Sequence, residues 1–174
     1  MTALPELLDR KQHVDLEGRD LERWLPTAGI VLLAAFLVVG LANVFGQRVQ
    51  TTSVESAVAD LEVKAPSAVR SGLIYEVQFT VSAHTALEEP TLVLESGWFD
   101  GFTINTMSPD TKDWTQRDGR QVLAYDAVPA GAELVVRLQY QVNPTTIGTR
   151  DQDVALEDNG ETILALDHET TVFP

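Results

Sequence analysis

Cysteine is absent from this chain of 174 residues, and histidine occurs three times. Disulfides, zinc thiolates, iron-sulfur clusters and cysteine nucleophiles are therefore excluded. Bases are scarce as well, 12 against 26 acids, for a formal charge of -14. A surface of that sign repels nucleic acid and anionic lipid, so neither is expected as the main partner. Gly-x-Ser-x-Gly, a metal-type histidine pair and a phosphate loop are all missing, and no cofactor is expected.

Charge itself is missing from one long stretch. Between Arg23 and Arg48 no ionisable side chain occurs, and the centre reads GIVLLAAFLVVGLA. As a helix, residues 24–47 would reach about 36 Å, enough to cross a hydrocarbon core of about 30 Å. Trp24 and Phe45 stand where interface residues belong, and Pro26 is expected in the first turn, with Asp20 as a helix cap. A cleaved signal peptide is the rival, since Gly40 and Ala42 form a small-x-small pattern. Against it stands the long preceding flank, which carries Glu6, Asp9, Asp15, Glu17, Asp20 and Glu22.

Four bases precede the run, Arg10, Lys11, Arg19 and Arg23, whereas the flank just after it offers only Arg48 and then Lys64. That bias places the N-terminus inside and the C-terminal part outside the plasma membrane. Residues 48–174 hold 20 acids and 8 bases, the first 25 residues 6 and 4. The expected organisation is a cytoplasmic tail at 1–23, a transmembrane helix at 24–47, a polar tether at 48–57 and an extracytoplasmic domain at 58–174.

Beyond the run the hydrophobic period shortens to two. LIYEVQFTVSA sets Leu73, Tyr75, Val77, Phe79 and Val81 on one face, and ELVVRLQYQV does the same with Leu134, Val136, Leu138, Tyr140 and Val142. The other face is wet: Glu76, Gln78, Thr80 and Ser82, then Glu133, Arg137, Gln139 and Gln141. Shorter strands are expected at 58–64, 91–95, 102–107, 121–127, 152–157 and 162–173, the last bent or split. Asp118-Gly119 and Asn159-Gly160 read as hairpin turns. Seven to nine strands without helical period make the fold mainly β, an immunoglobulin-like antiparallel β-sandwich behind one N-terminal transmembrane helix.

The segments SGLIYEVQFTVSA, TLVLES, AVPAGAELVVRLQYQV and DQDVALEDNGETI resemble bacterial immunoglobulin-like domains of the CARDB-like type. With its tail and single span, the chain is similar to small actinobacterial membrane proteins that carry such a domain outside the cell. The resemblance implies an extracytoplasmic address and brings no activity with it.

Chemistry-bearing residues are sparse. His84 and His168 are the histidines of the β domain, and neither stands in a nucleophile or metal motif. Acids gather around Asp151, Asp153, Glu157 and Asp158, and around Asp100, Asp110 and Asp113. These open an alternative, a calcium-dependent module or a hydrolase, although the spacings do not match an EF-hand and paired-carboxylate hydrolysis needs one desolvated acid. A structural spacer is the remaining alternative.

The aromatics give the candidate contacts. In SGWFDGFTINT, glycines 97 and 101 permit an irregular corner, Phe102 and Ile104 point inward, and neighbours Trp98 and Phe99 would face opposite ways in extended chain. Trp98, Phe99 and, beside the Asp118-Gly119 turn, Trp114 are candidate partner contacts. Within the span, Ala42, Asn43 and Gly46 are candidate helix-helix contacts. The expected role is a non-catalytic binding or accessory subunit, held in the lipid bilayer through residues 24–47 and contacting another membrane or envelope protein.

Overall fold

The computed structural model describes residues 20–42 and 47–174, and the chain divides into a helical unit and a β unit. The expected tail, apart from residues 20–23, lies outside the described residues, as do Asn43 and Gly46 of the candidate helix contacts.

Helix α1 spans Asp20–Leu41 and is about 33 Å long at 1.5 Å per residue. Its 18 residues Trp24–Leu41 have a mean hydropathy of 2.2, and none of that stretch is buried. It satisfies its own backbone while offering an apolar surface on every side, the property a lipid environment requires. Two details differ from expectation. Asp20 is inside the first turn, so Pro26 falls in the second turn, where it withholds the amide that would bond Glu22. The helix ends at Leu41, and the exposed Ala42 closes it by donating its N–H to Val38 O at 2.9 Å.

The β unit is mainly antiparallel. One five-stranded sheet has the order β1 (Val49–Glu55), β2 (Ala59–Pro66), β4 (Ile74–Ala83), β9 (Glu133–Val142) and β6 (Phe102–Ser108). The other runs β12 (Glu161–Leu166), β11 (Val154–Asp158), β5 (Pro90–Leu94), β8 (Arg120–Ala124) and β7 (Asp113–Arg117). A third, small sheet joins β10 (Gly148–Asp151), β13 (Glu169–Phe173) and β3 (Ala68–Arg70), with β13 and β3 parallel.

Period-two patterning does what it should. Tyr75, Val77, Phe79 and Val81 of β4 and Val136, Leu138, Tyr140 and Val142 of β9 are buried, facing Leu92, Leu94, Leu123, Val154 and Leu156 of the second sheet. Leu73, expected on the inward face, precedes β4 and is exposed. Both predicted hairpin turns form with positive φ at each residue, Asp118 53° and Gly119 82°, Asn159 51° and Gly160 78°. The terminal stretch splits at Asp167-His168 into β12 and β13.

The expected tether at 48–57 is a strand instead. All of β1 pairs with β2, from Val49 opposite Pro66 to Glu55 opposite Asp60, so the β unit starts earlier than residue 58. As an edge strand, β1 gains ladder hydrogen bonds on one side and buries little, which is why VQTTSVE shows no apolar alternation. In β6 a bulge inserts Asn105 between Ile104 and Thr106, so Met107 rather than Thr106 turns toward the core.

Strand directions define two ends. Near the start of β1 lie Pro66, Gly72 to Ile74 and the β9–β10 connection. The opposite end holds residues 56–58, 84–89 and the Asn159-Gly160 turn.

Candidate partner-contact site

The corner between β5 and β6 is built on a 3-10 turn, Ser96–Trp98. Its backbone is set by packing: a Cβ on Gly97 would overlap the Asp151 carbonyl oxygen, so the turn lies directly against β10. That turn resolves the conflict between the two aromatic neighbours by sending Trp98 inward and leaving Phe99 half-buried.

Trp98 is fully buried, which removes it from the candidate contacts. Its ring lies 5.3 Å from Phe79, 6.0 Å from Tyr140 and 5.8 Å from His168, the last nearly parallel at 13°. Its indole N–H donates to Asp153 O at 3.0 Å, satisfying the one polar group a buried tryptophan carries.

A polar cluster sits beside it, one that alternation along the sequence could not disclose. Gln152, buried in the loop after β10, donates to Gly97 O at 3.3 Å. The Thr170 hydroxyl is 2.8 Å from Pro66 O, 2.6 Å from Gln152 Oε1 and 3.3 Å from His168 Nε2. One hydroxyl proton serves a single acceptor at a time, so His168 is best used as a neutral donor to the Thr170 oxygen. Burial pushes the His168 pKa below its ordinary value, partly opposed by Pro66 O and Asp153. Burial likewise pushes the phenols of Tyr75, Tyr125 and Tyr140 up. Gln152, His168 and Thr170 pin the small sheet to the core, and all three are buried.

Exposure concentrates on Trp114 instead. It sits on β7, the outer strand of its sheet, every residue of which is exposed. Its side chain is 46% exposed, its ring centroid lies 6.4 Å from Phe99, and its indole N–H donates to Gln121 Oε1 at 2.7 Å. Phe99 and Trp114 are thus brought together across two elements, a pairing no single stretch of sequence displays. A held, half-exposed indole beside a strand edge that pairs with no other strand among the described residues offers an apolar anchor and available backbone groups at once.

A second feature is a groove of about 400 Å³ on the wet face of the first sheet, lined among others by Glu55, Asp60, Glu62, Thr80, Ser82 and Glu133. His84 Nε2 lies 2.9 Å from Asp60 Oδ1 at its rim, and Lys64 pairs with Glu62 at 2.9 Å.

The acids of the alternative reading are dispersed among separate tasks. Both oxygens of Glu157 accept from Arg117 at 2.7 Å, Asp158 accepts the Glu89 amide at 2.7 Å and Asp153 the His168 amide at 3.1 Å. Asp100 pairs with Arg150 at 3.3 Å, and Asp113 accepts the Trp114 amide at 3.0 Å. Among the described residues, no three carboxylate or imidazole groups converge as a metal site would require.

The main architecture is two five-stranded antiparallel sheets packed as a β-sandwich around one core. No protein-family model matches the chain, and no curated protein matches it in sequence. Solved structures similar to it include CaCohA2 of Clostridium acetobutylicum, 14% identical at a TM-score of 0.42, covering 60% of this chain and 84% of that one. A non-cellulosomal cohesin of the archaeon Archaeoglobus fulgidus is 9% identical at 0.38, with coverage of 60% and 84%. The chitin-binding domain of a Pyrococcus furiosus chitinase is 11% identical at 0.35, with coverage of 68% and 98%. Likenesses of this size carry no ligand or partner over to this chain.

Proposed function

We propose that this protein is a bitopic membrane protein of the plasma membrane whose helix around residues 24–47 anchors a non-catalytic, extracytoplasmic binding module. The observation that carries the anchor is Trp24–Leu41, 18 consecutive helical residues free of charge and uncovered on all sides. Water would have to solvate that surface, whereas a bilayer accepts it. The positive flank before the helix supports a cytoplasmic N-terminus. Kinship with actinobacterial CARDB-like domains, suggested by the strand segments, belongs to the same proposal.

The partner of the module is a membrane or envelope protein, and Trp114 with Phe99 is its contact. An aromatic anchor at a strand edge suits an extended segment of another chain, which would pair with the free backbone of β7 while the indole fills a pocket. Ala42, Asn43 and Gly46 offer a second contact, between helices in the membrane. A photoreactive side chain at position 114, in the full-length protein in its native membranes, should crosslink to one reproducible protein, and Phe99→Ala should weaken that product. A probe that yields only lipid adducts, or nothing, rules out this edge as the contact.

A further inference from the structure

Among the described residues of the β unit, five large apolar side chains are markedly exposed, and four of them stand at one end. Val49 is 66% exposed, Leu73 44%, Ile74 52% and Ile147 58%, while Trp114 is the fifth. Strand pairing and the flanking connections place the four at the same end. Val49 opens β1 opposite Pro66, the last residue of β2, and Ile74 opens β4 opposite Gln141, next to last in β9. The carbonyl of Leu73 accepts the Val142 amide at 2.9 Å, and Ile147 lies in the connection that leaves β9. The Gln47 side chain donates to Ile74 O at 3.2 Å, so the segment leading into β1 passes the same place.

Charge divides between the two ends. Arg48 and Arg70 are exposed beside the apolar group, and Arg150 reaches toward Ile147 O at 3.4 Å. Acids there include Glu76, Asp100, Asp118, Asp151 and Glu169, with Asp100 paired with Arg150. Glu55, Asp60, Glu88, Glu89, Glu133 and Asp158 belong to the far end. A molecule with a net charge of -14 thus turns its least acidic end toward the start of β1.

Chain length says what covers this end. The last residue of α1 is Leu41 and the first of β1 is Val49, eight peptide steps that reach at most about 28 Å. The ten residues of β4 hold the two ends of the sandwich about 33 Å apart. A helix seated in a bilayer therefore keeps the apolar end within reach of the lipid surface.

We infer that the end of the sandwich bearing Leu73, Ile74 and Ile147 lies on the phospholipid headgroup layer. The apolar side chains enter the interface, and Arg48 and Arg70 meet lipid phosphates while their stems cover further apolar area. This inference rests on the membrane-anchor reading and adds a second, peripheral lipid contact made by loops.

The absence of cysteine allows a direct test on the full-length chain, reconstituted in phosphatidylcholine vesicles. Single substitutions Leu73→Cys, Ile147→Cys, Glu88→Cys and Leu33→Cys each take an environment-sensitive dye, and spin-labelled lipid serves as quencher. The inference expects loss of emission at positions 73 and 147 as well as 33, with position 88 unquenched. If 33 is quenched while 73 and 147 stay as bright as 88, the interfacial contact is overturned and the anchor survives. Should 33 itself stay unquenched, both fall.

Discussion

The imidazole of His168 lies almost parallel to the indole of Trp98, 5.8 Å between centroids at 13°, inside the core. Its pKa is held below the ordinary 6.5 because burial penalises the charged ring. The unfolded chain takes up that proton near pH 6.5, and the folded chain does so only at lower pH. Folding stability is therefore undiminished by this group above pH 6.5 and falls as pH drops from there toward the folded pKa. Thermal melting of the protein and of His168→Gln between pH 8 and 5 should show a steeper decline for the native side chain. Parallel curves would mean the ring is not kept neutral.

Trp98 and Trp114 should separate cleanly by mutation. Trp98→Ala empties the largest fully buried side chain and is expected to cost about 3–5 kcal/mol, enough to threaten a fold of this size. Trp114→Ala removes an indole 46% exposed on an edge strand, for an expected cost of at most about 1 kcal/mol. Urea unfolding of both variants checks this. Equal losses would place Trp114 in the core and deny it a role as a contact.

Two glycines are needed for unlike reasons. Gly119→Ala meets nothing nearby, but at φ 82° the new Cβ strains the hairpin, for about 1 kcal/mol. Gly97→Ala would drive a methyl into the Asp151 backbone, forcing the turn off β10 at about 1–3 kcal/mol or more. Chemical denaturation ranks them, and the larger loss should fall on Gly97. The reverse order would show that the corner is pliable.

Much of this was readable in advance where burial imposes a pattern. β4 and β9 alternate because one face of each meets the core, and the two turns form because Asp-Gly and Asn-Gly tolerate positive φ. β1 and β7 left no such mark: VQTTSVE and DWTQR are edge strands with nearly every side chain in solvent, so pairing alone makes them strands. The β6 bulge is likewise a property of its neighbour, not of FTINTMS. At the contact site the sequence pointed to a crowded aromatic corner but not to which ring is inside. Trp98 and Phe99 were sorted by a turn whose shape depends on β10, fifty residues on, and Phe99 met Trp114 only through folding.

The account depends most on where the helix puts the sandwich. Glu88→Cys, in an exposed loop at the far end, supplies the only thiol in the full-length chain, and a membrane-impermeant maleimide applied to intact cells reads which side it is on. The prediction is full labelling before lysis, on a protein that keeps its N-terminal helix and stays in the membrane fraction after an alkaline wash. A thiol that reacts only after lysis, or a labelled chain released by the wash, would contradict it.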